Sequence, residues 1–100
     1  MKSGYRLIYS ETSCRQIAKL HPEIKPVIRS RLGNLQMSPF AGKRLEKELA
    51  GYRSLRAERF RIIYKLNEAD ETIEIHYVGH RKDIYELFAE QTGRPTAFAD

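Results

Sequence analysis

The chain contains one cysteine, Cys14. No intramolecular disulfide can form and a zinc site built on cysteines is excluded, in keeping with a reducing cytosol. Cys14 stands between Ser13 and Arg15 in an expected helix and reads as a packing or surface residue, not a nucleophile. Uninterrupted apolar runs last only a few residues, far short of the roughly 20 that a membrane-spanning helix needs. Met1 and Lys2 lead into Ser-Gly-Tyr-Arg, not into the apolar core of a secretory signal, so a soluble cytoplasmic protein is expected. His21, His76 and His80 have no ligand spacing and no carboxylate pair stands out. Neither a metal site nor a cofactor is expected, and no internal repeat or low-complexity segment is present.

What the chain does have is enough length for one domain and an excess of positive charge. One hundred residues leave no room for two independent cores. The reading is a single domain over 1–91 and a flexible C-terminal tail over 92–100, where Gly93 and Pro95 interrupt any periodic pattern. Lys and Arg number 18 against 13 Asp and Glu, a formal net charge of +5. That balance favours a polyanionic partner, whether RNA, DNA or an acidic protein, without choosing among them.

Hydrophobic periodicity gives the order β-α-α-β-β-β-α, an α+β fold. Tyr5, Leu7 and Tyr9 alternate with polar neighbours as a first strand. Glu11-Thr12-Ser13 offers N-cap chemistry for a short helix that His21-Pro22 ends. Ile24, Val27, Ile28, Leu32 and Leu35 share one face of a second helix, with Pro26 in its first turn and Gly33-Asn34 as the expected weakening or end. Tyr52 to Ala57, Arg59 to Leu66 and Thr72 to Val78 read as three strands with short links, hence an antiparallel meander. The helical hairpin covers one face of that sheet. Gly79 is expected to break the last strand, and Arg81 to Gln91 reads as a closing helix.

The charge is concentrated in the second half. Lys43, Arg44, Lys47, Arg53, Arg56, Arg59, Arg61 and Lys65 fall within 23 residues, against Glu46, Glu48 and Glu58. Arginines inside apolar strands are costly unless they face an open surface or a partner anion. If the hairpin register brings Arg56 and Arg61 together, the pair makes a phosphate cradle. A solvated sheet edge is the plainer alternative. His80, after the glycine, can move a proton near neutral pH, and Arg81 and Tyr85 share one face of the final helix.

Three segments carry a resemblance: Leu49-Ala50-Gly51-Tyr52-Arg53-Ser54-Leu55-Arg56, Arg59-Phe60-Arg61-Ile62-Ile63-Tyr64-Lys65, and Val78-Gly79-His80-Arg81-Lys82-Asp83-Ile84-Tyr85. In this order and spacing they resemble the RelE family of the RelE/ParE toxin superfamily, as does the helical first half. The resemblance implies a type II toxin that is neutralised by a small cognate antitoxin in a hetero-oligomer. It further implies a metal-independent endoribonuclease, an mRNA interferase that cuts messenger RNA in the ribosomal A site and arrests translation. In that chemistry a 2′-hydroxyl attacks the adjacent phosphate, the bond to the next nucleotide breaks to leave a cyclic phosphate and a free 5′-hydroxyl, and positive side chains stabilise the added charge. Arg61, Arg81 and Tyr85 match the catalytic positions, with His80 as a further candidate. Arg53, Arg56, Lys43 and Arg44 are the expected RNA contacts. Ser54 stands where nuclease members often carry a second basic residue, with Arg53 out of phase. The competing reading is a ParE-like toxin on the same fold that inhibits DNA gyrase without nuclease activity.

Overall fold

The structure is a computed structural model that describes residues 4–80. The closing helix expected over 81–91 and the tail over 92–100 lie outside the described residues. Within them the order is β1 (Arg6–Tyr9), α1 (Glu11–Ala18), α2 (Lys25–Met37), β2 (Lys43–Arg44), a 3₁₀ turn (Lys47–Leu49), β3 (Tyr52–Ala57), β4 (Phe60–Asn67) and β5 (Thr72–His80).

Local chemistry sets the helix starts. Ser10 caps α1, its hydroxyl accepting the Ser13 N–H at 3.0 Å, and Glu11 places a carboxylate in the first turn, where the helix dipole favours it. Pro26 occupies the first turn of α2, where its missing N–H costs nothing. Gly33-Asn34 does not end α2, which continues to Met37. Leu32 and Leu35 are both buried in the core, and their packing outweighs the ~1 kcal/mol that glycine costs a helix interior.

The five strands lie in the order β1-β5-β4-β3-β2. The expected three-strand meander is its centre, β3–β4–β5, antiparallel throughout. Two features extend the sheet beyond that meander. β1 pairs in parallel with β5, and the two-residue strand β2 extends the other edge against β3. Helix α2 covers one face, the core face, where Ile28, Leu32 and Leu35 pack with Ala57, Ile62, Tyr64, Ile73, Ile75 and Val78. On the second face a smaller cluster of Leu49, Ile63 and Tyr77 is flanked by Leu45 and Tyr52.

Gly79 does not break β5. It pairs with Arg61, and the strand runs on to His80, the partner of Phe60. The interruption falls earlier, at a β-bulge. Tyr64 pairs with Ile75 but Ile63 pairs with Tyr77, so His76 is an extra residue in β5. There the last β1 pairing, Tyr9 with Ile75, also ends. Helix α1 takes over the exposed edge of β5 with side chains: Ser10 Oγ donates to His76 O at 3.1 Å, and Ser13 Oγ lies 3.0 Å from Ile75 O. Gln16 Oε1 accepts the Val78 N–H at 2.7 Å.

Candidate functional site

Strand β3 alternates by residue, so its arginines divide between the two faces. Tyr52, Ser54 and Arg56 lie on the second face, opposite Lys65, Ile63 and Arg61 of β4. Arg56 and Arg61 are direct register partners, the juxtaposition a phosphate cradle requires. Arg61 is half-buried and Arg56 exposed. Arg61 Nη1 donates to Ser54 Oγ at 3.1 Å, which aims one edge of the guanidinium along the sheet. Lys43 pairs with Ser54 and so joins the same face from β2. No carboxylate of the described residues lies within ion-pair distance of Arg56, Arg61 or Lys43. A like-charged pair directly across a hairpin is destabilising by itself, and an anion placed between the two guanidiniums would relieve the repulsion.

The same face continues toward the other end of the sheet with residues that the sequence did not single out. Lys65 Nζ lies 5.5 Å from the centroid of the Tyr52 ring. Tyr52 meets the His76 ring edge-on at 5.2 Å, and His76 Nε2 lies 3.3 Å from Glu74 Oε1. Tyr52 and Lys65 were legible from strand parity as partners across the hairpin. His76, two residues after Glu74, shares that parity, and the bulge shifts only the positions after it.

Two groups of expected site residues are placed elsewhere. Arg53 and Arg44 are register partners on the opposite face from Arg56 and Arg61. Arg53 Nη1 donates to Gly42 O at 2.8 Å and Phe40 O at 3.2 Å, holding the loop that leads into β2. Tyr64 anchors the same loop from the core: its hydroxyl accepts the Gly42 N–H at 2.8 Å and donates to Pro39 O at 2.9 Å. Burial pushes the Tyr64 phenol above its ordinary 10.0, against the smaller lowering effects of the Gly42 N–H and the Arg53 charge.

His80 is the second displaced residue. Without the bulge, the alternation from Glu74 would carry it to the Arg61 face. The extra residue inverts the phase, so Tyr77 and Gly79 take that face while Val78 and His80 turn to the other. The His80 ring lies 5.6 Å from that of Phe60, its register partner. Arg81 and Tyr85 lie outside the described residues.

A mixed sheet with a helical pair on one face, and on the other arginines with no carboxylate partner among the described residues, is the fold and surface of a known class of small protein. The family model for the ParE toxin of type II toxin–antitoxin systems matches residues 5–85. The chain therefore belongs to the RelE/ParE superfamily of type II toxins. Among its relatives, Toxin RelG of Mycobacterium tuberculosis is 36% identical over 83 residues, spanning 81% of this chain and 95% of the relative. The RelBE2 toxin–antitoxin complex of the same organism contains a chain that superposes with a TM-score of 0.72 at 34% identity, covering 78% of this chain and 99% of that one. A free-state variant of E. coli toxin RelE gives a TM-score of 0.72 at 17% identity, over 90% and 96% of the two chains, a likeness of fold.

Proposed function

We propose that this toxin is a ribosome-dependent, metal-independent mRNA endoribonuclease that arrests translation in the cytoplasm and is silenced by a cognate antitoxin in a hetero-oligomer. The observation that carries the reading is the Arg56–Arg61 pair, opposed on one face with no carboxylate partner among the described residues. Such a pair suits the phosphorane-like state formed when a 2′-hydroxyl attacks its neighbouring phosphate. Two fixed guanidiniums neutralise charge that grows during the reaction. Arg61, held by Ser54, stabilises the transition state together with Arg81, while Arg56 and Lys43 contact the phosphate backbone. Tyr85 transfers a proton or stacks a base. His80 faces away from Arg61 beside Phe60 and takes no part in the proton transfers. The antitoxin follows from the RelBE2 toxin–antitoxin complex of M. tuberculosis, a chain of which is 34% identical to this one.

The matching family model bears the ParE name, which keeps inhibition of DNA gyrase without nuclease activity as the alternative. One experiment separates the two. The chain is expressed from a tightly repressed promoter and incorporation of labelled methionine and thymidine is followed, for wild type and Arg61→Ala/Arg81→Ala. Rapid loss of methionine incorporation, abolished by the double substitution, is the expected result. Thymidine loss that comes first and survives the substitutions overturns the endoribonuclease reading in favour of gyrase.

A further inference from the structure

β3 carries a second guanidinium pair that the reading above does not use. Arg53 projects from the face opposite Arg56, and its register partner is Arg44 on the edge strand β2. No carboxylate of the described residues lies within ion-pair distance of either. The two line a cleft of about 350 Å³ together with Phe40, Tyr52 and Leu66, and Glu68 is the acidic residue in that lining. Arg53 is fixed in advance by its bonds to Gly42 O and Phe40 O, which draw on Nη1 alone among the five N–H donors of its fork. Its guanidinium carbon stands 5.1 Å from the centroid of the Phe40 ring. Phe40 is 52% exposed, so its ring is open to a ligand.

An exposed ring already stacked on one side by a guanidinium, next to a second arginine, matches one nucleotide of a single strand. The phosphate takes the forked donors and the base takes the free side of the ring. An acidic peptide would use the charges but has no need of the flat surface. We propose that this cleft is a second RNA site, in which Arg44 and Arg53 hold a backbone phosphate and Phe40 stacks the adjoining base. Its two arginines lie on the face opposite Arg56 and Arg61, so it binds a segment other than the one being cut. The choice of RNA as the strand rests on the endoribonuclease reading.

The test uses the full chain carrying Arg61→Ala, to prevent cleavage, and a short fluorescein-labelled single-stranded RNA followed by anisotropy over a range of salt. Arg53 is left intact because it holds the loop; Arg44→Gln and Phe40→Leu are added singly, with thermal melts to verify folding. Each weakens binding by about fivefold or more, the loss of one stacked base or one charged contact. Arg44→Gln also lowers the slope of log K against log salt by about 0.7, while Phe40→Leu leaves the slope unchanged. Affinity and slope unaltered in both variants overturn the proposal. So does intact RNA binding with loss of binding to an acidic antitoxin segment, which would make the cleft a protein interface. Cleavage of ribosome-bound mRNA by the chain without these substitutions is scored separately. If cleavage is absent while both variants still lose RNA affinity, the endoribonuclease reading falls and the cleft stands; intact cleavage with unaltered affinities gives the converse.

Discussion

Arg61 donates from Nη1 to Ser54 Oγ at 3.1 Å, while its backbone partner across the hairpin is Arg56. One strand thus supplies both the hydroxyl that steers Arg61 and the like charge that Arg61 must tolerate. Ser54 occupies the place where a second cation would deepen the repulsion. Removing the guanidinium of Arg61 should lower mRNA cleavage by about 10²–10³, the usual loss for one transition-state donor. Ser54→Ala should cost about tenfold and Ser54→Thr, which keeps the hydroxyl, much less. Cleavage of ribosome-bound mRNA, quantified by primer extension, measures both. Equal rates for Ser54→Ala and wild type would remove Ser54 from the positioning of Arg61.

The loop before β2 hangs on Tyr64. Tyr64→Phe removes the acceptor of the buried Gly42 N–H and should destabilise the fold by about 1–3 kcal/mol in urea melts. Gly42→Ala should also destabilise, because an added Cβ would stand 2.5 Å from Tyr64 Oη and 2.8 Å from Cε1.

The same phenol gives a pH dependence. Its folded pKa is raised above the unfolded 10.0, so its contribution is complete below pH 10. Above that value the unfolded chain ionises first, and stability falls as pH climbs toward the folded pKa. Tyr9 is raised in the same direction, chiefly by burial and then by the nearby Cys14, and adds to the decline. Melts between pH 9 and 11 should show the loss, about one unit around 10.0. Tyr64→Phe should reduce its slope.

Gln16 is the acceptor for Val78 N–H at the far end of the α1 stitch. Gln16→Ala should cost about 1–3 kcal/mol and speed hydrogen exchange at Val78. Gln16→Glu retains an acceptor oxygen and should protect Val78 close to the wild-type level. Equal exchange in all three proteins would show that the bond adds nothing.

The β3–β4 hairpin turns through Glu58 at φ 58°, a left-handed conformation that costs a residue with a Cβ. Glu58→Gly or Glu58→Asn should raise stability by about 0.5–1 kcal/mol, read as a higher urea midpoint at an unchanged m-value.

Legibility in the sequence followed the range of the forces involved. Tyr52–Ala57 matched its strand at both ends, since alternation and β-rich composition are local signals. So was the division of Arg53 from Arg56, which needs only a period of two. α2 ran through Gly33-Asn34 because burial of Leu35, a tertiary contact, overrode a local weakness. β2 has just Lys43 and Arg44, too short for a pattern, and exists because β3 offers an edge. The parallel pairing of β1 with β5 has no local signature at all. The face of His80 depended on one extra residue at the bulge, which shifts every position after it.

The parallel pairing governs the order in which the molecule can assemble. Arg6 at the start of β1 meets Thr72 of β5, the last strand described, so the contact closes a loop over most of the fold. Long loops of this kind slow folding, because their entropy is lost before the contact rewards it. During synthesis the chain emerges N-terminus first, and β1 has no partner in the sheet until β5 has been made. The α1 side chains that hold the edge of β5 must wait for the same moment. β1 and α1 are thus made well before β5 and are among the last elements to dock.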